Sequence, residues 1–147
     1  MRLEGTNIFP VSVETVWTAI NDPEALRRCT PGLQELKEIS PDTYAATLQI
    51  GIAAVKGTYS GTLAITDKRA PFHYKIALNG TGAAGFMKGE GTVDLEPQGE
   101  GTMLTWTGDL QIGGLIAGVG QRMLGGVGKM LIGQFFKCLE DSLGTAR

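Results

Sequence analysis

Hydrolytic or transfer chemistry needs a nucleophile, a base and a group that stabilises developing charge. In this 147-residue sequence the one histidine, His73, stands beside Lys75 and Asn79 on the polar side of an alternating segment and reads as a solvated surface position. Cys29 has no histidine predicted near it to generate a thiolate, so it reads as a structural thiol. The acidic residues fall mostly on polar faces or in turns and form no recognisable carboxylate pair for acid–base work. Gly80–Gly85 and Gly113–Gly114 are glycine-rich but follow neither phosphate-loop nor dinucleotide spacing. Lys88-Gly89-Glu90 reads as the wet edge of a strand. The residues nominate no catalytic site and no metal site; the expectation is a protein that is not an enzyme.

Charge narrows the partners. A formal net charge of −2 and an isoelectric point near 5.4 give no footprint for nucleic acid. The longest uncharged run in the apolar C-terminal third, Leu110 to Gln121, holds twelve residues, and beyond it the chain is interrupted by Arg122, Lys129 and Lys137. A helical span needs about twenty. Met1 to Pro10 lacks the charged head and apolar core of a signal peptide. Cys29 and Cys138 have no metal or redox spacing and read as reduced intracellular thiols, which makes the cytoplasm the expected compartment.

The elements emerge from period and punctuation. Arg2 to Phe9 reads as a strand. Ser12 can cap a helix whose Val13, Val16, Trp17 and Ile20 share one face. Asp22-Pro23 opens a second short helix, and Pro31-Gly32 closes it. Strict alternation then marks strands around Tyr44–Ile50, Val55–Ile65, Phe72–Leu78, Met87–Leu95 and Leu104–Ile112, each with one wet and one apolar side. From Leu115 to Leu143 the chain reads as one long helix. An antiparallel sheet with one apolar face needs a cover, and that helix is the only large element available. The expected class is α+β: a curved sheet wrapped around a C-terminal helix, with two short helices after the first strand.

Glycine is the unusual component. Gly118, Gly120, Gly125, Gly126, Gly128 and Gly133 fall within the long helical segment, at about 0.8–1 kcal/mol each relative to alanine. The apolar faces of the strands carry Gly57, Gly61, Gly89, Gly91 and Gly108. Such glycines serve bends and close backbone approach, or they leave space between sheet and helix; the two readings are compatible. A space there would have walls from Trp17, Tyr59, Tyr74, Phe86, Met87 and Trp106, with Gly120, Met123, Val127, Met130 and Leu131 from the helix. That lining suits a small apolar ligand. The apolar stripe of the helix swings past Gly133, and a kink at Gly125–Gly128 would rationalise it, with the first half of the helix acting as a lid. On this reading, leucine at Gly120 or Gly126 fills the space and abolishes binding.

These residues also carry a family resemblance. Asp22-Pro23, Leu26, Cys29, Pro31-Gly32, Val55-Lys56-Gly57-Thr58-Tyr59-Ser60-Gly61, Gly82 to Gly91, Gly101-Thr102, Leu104-Thr105-Trp106 and Gly113-Gly114 to Arg122 together resemble the family of the carbon monoxide dehydrogenase G subunit, within the START-like (SRPBCC), helix-grip superfamily. The resemblance covers nearly the whole chain and implies one START-like domain over residues 1–147, with a seven-stranded antiparallel sheet gripping the C-terminal helix around a hydrophobic cavity. It also implies a non-catalytic accessory role beside a molybdenum hydroxylase-type dehydrogenase, with a quinone or lipid in the cavity and no cofactor of its own. Contact with the inner membrane face would be transient, since many relatives carry an apolar tail and this sequence ends at Arg147. The alternatives are a START-like cyclase or hydratase acting on a hydrophobic substrate, and a ligand-free interaction module.

Overall fold

The computed structural model describes residues 1–52 and 55–145, and the side chains of all of these but the last two. Strand β1 (Arg2–Phe9) is followed by α1 (Val13–Ile20), α2 (Pro23–Cys29), then β2 (Leu33–Ser40), β3 (Thr43–Ile50), β4 (Gly57–Arg69), β5 (His73–Gly82), β6 (Gly85–Gln98) and β7 (Gly101–Gly113). A 3-10 helix (Leu115–Val119) and helix α3 (Gln121–Thr145) complete the chain. The seven strands form one antiparallel sheet in the order β1-β7-β6-β5-β4-β3-β2. Only the pairing of β1 with β7 joins elements distant in sequence, running from Arg2 opposite Asp109 to Phe9 opposite Thr102.

Local signals placed the short helices. The Ser12 hydroxyl accepts from the Thr15 amide at 3.3 Å, and the Asp22 carboxylate accepts from the Glu24 amide at 3.0 Å with Pro23 opening α2. Strand β2 has no counterpart among the alternating runs of the sequence. It is an edge strand in which Leu36 alone is buried, and a register shift between Leu33 and Glu35 breaks its alternation.

The C-terminal segment differs from the single helix its composition suggests. Gly120 adopts φ of 99°, a left-handed backbone open to glycine, and separates the 3-10 helix from α3. α3 then runs as one helix through Gly125, Gly126 and Gly128, and the break in the segment falls at Gly120 instead. Those glycines serve packing instead. A Cβ at Gly128 would stand 2.9 Å from Leu3 Cδ1, and one at Gly125 would stand 3.4 Å from Leu3 Cδ2. β1 is where α3 makes its main contact with the sheet. The buried stripe therefore passes through Gly125 and Gly128 to Phe136 and Leu139, leaving Met123 and Met130 at 53% and 43% exposure. A pattern read from large side chains counts those glycines as blanks, which is why the stripe looked as if it swung.

The cysteines also depart from expectation. Cys29 and Cys138 form a disulfide that ties the end of α2 to α3, with Cα atoms 5.4 Å apart. Sequence spacing could not show this, because α2 and α3 become neighbours only when the sheet closes around them. Disulfides persist in oxidising compartments, so the thiol argument for a cytoplasmic location does not hold.

Candidate functional site

The concave face of the sheet has two halves of different density. At the end nearest α1 and α2, Phe9, Ile65, Tyr74, Val93, Leu95, Leu104 and Trp106 join Val16, Ile20, Phe136 and Leu139 in one buried cluster. Towards the other end, Leu48, Ile50, Tyr59, Leu63, Ile76, Leu78, Met87 and Ile112 point to the same side by register yet stay half-buried. α3 crosses at β1 and leaves that part of β3 to β6 incompletely covered.

Two roles for the sheet glycines separate here. A Cβ at Gly61, Gly91 or Gly89 would collide with Asn79, Thr107 or Leu110, so these positions allow close approach between neighbouring strands. Gly108 differs: it is half-buried, pairs with Gly91, and a Cβ there would meet nothing within 4 Å. It marks unfilled space on the concave floor. A cleft of about 230 Å³ lies between α3 and the ends of β2 and β3, lined by Pro31, Gly32, Gln49, Ile50, Gly51, Ile52, Met130, Leu131 and Gln134. A hollow of about 440 Å³ lies elsewhere, between α1, α2 and Leu143, with Glu14, Asp22 and Arg28 on its walls. Its mixed charges suit solvent, and none of its lining residues comes from the sheet.

The residues expected around a ligand are thus divided. Trp17 and Tyr74 meet, with ring centroids 5.6 Å apart, and Trp106 is buried with its indole lying over Gly5. Tyr59 and Met87 face the half-buried stretch, and Val127 and Leu131 are half-buried on α3. Met130 stands at the rim of the cleft. Met123 and Gly120 are exposed near the start of α3. Phe86 lies on the convex side, its ring covering Gly113, because it is one residue out of phase with Met87. Sequence reasoning overlooked Leu63, Ile76 and Leu78 as lining, although each follows the same alternation as Tyr59 and Tyr74.

The polar groups are few. Tyr59 Oη donates to the Val55 carbonyl at 2.7 Å, and Thr102 Oγ1 donates to the Val11 carbonyl at 2.8 Å. Burial raises the Tyr74 phenol above its ordinary value of 10.0. Tyr44 is raised as well, by burial first and then by Glu38 and Asp42. On the convex face His73 Nδ1 lies 2.7 Å from Asp94 Oδ1, as its place on the wet side implies.

A family model for the carbon monoxide dehydrogenase G subunit (CoxG) matches residues 6–144. The chain belongs to that family. The CoxG match runs from β1 into α3 and so includes the cleft and all of the concave face but the Leu3 and Gly5 end of β1. Among solved structures, a conserved protein from Geobacillus kaustophilus is 44% identical, over 99% of this chain and 97% of its own, with a TM-score of 0.96. A START superfamily protein from Mycobacterium smegmatis aligns over 99% of both chains at 17% identity and a TM-score of 0.75. A protein from Thermus thermophilus does so at 16% identity and 0.73. The Mycobacterium smegmatis match shows that this CoxG-family chain has the START-like fold. A search of curated protein sequences found no match. Among the described residues, no helix is long and apolar enough to cross a membrane.

Proposed function

We propose that this chain is a non-catalytic accessory protein of a molybdenum hydroxylase-type, carbon monoxide dehydrogenase-like enzyme. In this reading it carries an apolar ligand, a quinone or a lipid, between sheet and α3, and helps link that enzyme to the inner membrane face. Family membership supports the association with a dehydrogenase. The observation that carries the ligand is the half-buried apolar stretch of β3 to β6, with the open floor at Gly108. Interiors are normally close-packed, so apolar side chains left half-covered beneath a helix favour an occupant.

The concave positions of these strands hold no acid–base pair of the kind that catalysis on a hydrophobic substrate requires, which favours a carrier over an enzyme. Leu115, 81% exposed on the 3-10 helix, and Met123 nearby give an apolar surface for transient membrane contact. Native mass spectrometry of the protein purified from its own cells, with lipid extraction, tests the reading. A co-purifying prenylated quinone or lipid is the expected result. A protein that retains no such molecule and takes none up from vesicles would leave only the interaction module.

A further inference from the structure

The concave side of β3 to β7 carries no charge, and the carboxylate of Glu38, opposite Tyr44 on the edge strand β2, borders it. Along Tyr44–Ile50, Gly57–Ile65, Tyr74–Gly82, Met87–Leu95 and Thr102–Ile112, each inward position is apolar, glycine, threonine or tyrosine. β1 adds Leu3, Gly5, Asn7 and Phe9. The cations of α3, Arg122, Lys129 and Lys137, are exposed.

The three tyrosines of the chain all lie on this face, and their hydroxyls fare differently. Tyr59 is bonded to Val55, and Tyr44 stands opposite Glu38 across β2 and β3. Tyr74 is 6% exposed, and its hydroxyl meets no hydrogen-bond partner among the described residues. Buried polar groups without partners are rare and costly. Among the described residues, Asn21 Oδ1 is the sealed side-chain atom left without a partner. The Tyr74 oxygen is therefore not sealed, and register puts it on the concave side. Ile76, Leu78 and Gly80 continue the same face of β5, each about 6.4–6.8 Å further on. Tyr74 thus stands where the half-buried stretch ends against the dense core.

We infer that Tyr74 anchors the ligand: its hydroxyl donates a hydrogen bond to a neutral carbonyl at the leading end of an otherwise apolar molecule, whose body lies along Ile76, Leu78 and Met87. This rests on the apolar-ligand reading above and narrows it. A carboxylate or phosphate at that depth would lose its water and find no cation. Burial keeps the phenol protonated, hence a donor. The bond would give the hydroxyl a partner that no described residue supplies.

Equilibrium dialysis at pH 8 with three probes of one shape tests this: methyl 2-naphthoate, 2-naphthoate and 2-ethylnaphthalene. The neutral ester should bind at least ~10-fold tighter than the anion, which at that depth keeps a charge and finds no counterion. Tyr74→Phe should weaken the ester ~3–10-fold, leave 2-ethylnaphthalene unchanged, and not lower the Tm of the unliganded protein. Equal ester affinity in both proteins overturns the anchor. An anion that binds as well as the ester overturns the neutral head. If 2-ethylnaphthalene binds while either failure occurs, the groove stands without Tyr74. If no probe binds, the apolar-ligand reading falls with it.

Discussion

Leu3 on β1 fits into the notch that Gly128 leaves in α3, at a separation that would put a Cβ 2.9 Å from Leu3 Cδ1. Two residues 125 positions apart in sequence thereby set the height of the helix above the sheet. The helix rests on β1 because glycine lets it, and β3 to β6 remain partly uncovered beside it.

The glycines of α3 should therefore divide by mutation. Gly126 is exposed with nothing within 4 Å, so Gly126→Ala should stabilise the fold by about 0.8–1 kcal/mol through helix propensity. Gly128→Leu should destabilise it by about 1–3 kcal/mol, because the added side chain meets Leu3. Urea unfolding of both variants checks the pair; a stabilised Gly128→Leu would refute the close-contact role. Gly126→Leu should leave ligand binding intact, contrary to what the composition of the helix suggests.

Gly108 is the place to fill the groove. Gly108→Leu puts a side chain into half-buried open space on a strand, where apolar residues are welcome. Stability should hold or rise, and affinity for an apolar ligand should fall by ~10-fold or more, the equivalent of about 1.4 kcal/mol. Unchanged affinity in a folded Gly108→Leu protein would place the ligand elsewhere.

The disulfide closes a loop across a sequence separation of 109 residues. Constraining the unfolded chain to that extent should contribute about 2–5 kcal/mol. Urea midpoints with and without a thiol reductant measure it. Coincident transitions, with two free thiols by titration before any reductant is added, would show that the bond is absent in the protein as isolated.

Tyr74 gives stability an alkaline limit. Its folded value is raised above 10.0, so past that pH the unfolded chain releases a proton that the folded chain retains. Stability should thus be full below pH 10 and fall above it, by about 1.4 kcal/mol at about pH 11 from this group. Tyr44 acts in the same direction, so the readout is a difference: Tyr74→Phe should lose less Tm than the parent between about pH 9 and 11. Parallel losses would mean that the Tyr74 phenol is not held back by burial.

Much of this protein was legible locally. Alternation marked β3 to β7 and their inward residues because a strand's side chains depend only on the pleat. Ser12 and Asp22-Pro23 announced α1 and α2 because caps bond within a few residues of themselves. The missing charges at the inward positions of β3 to β7, and so the expectation of an apolar ligand, came from the same alternation.

Tertiary structure alone decided the rest, since each remaining feature depends on partners distant in the chain. Gly128 is a contact only because Leu3 arrives beneath it. Cys29 and Cys138 bond only because α2 and α3 lie side by side. Of two alternating tyrosines, Tyr59 finds a carbonyl within its own loop whereas Tyr74 finds none among the described residues. Sequence placed both on the same face; packing determined which hydroxyl lacks a partner among the described residues.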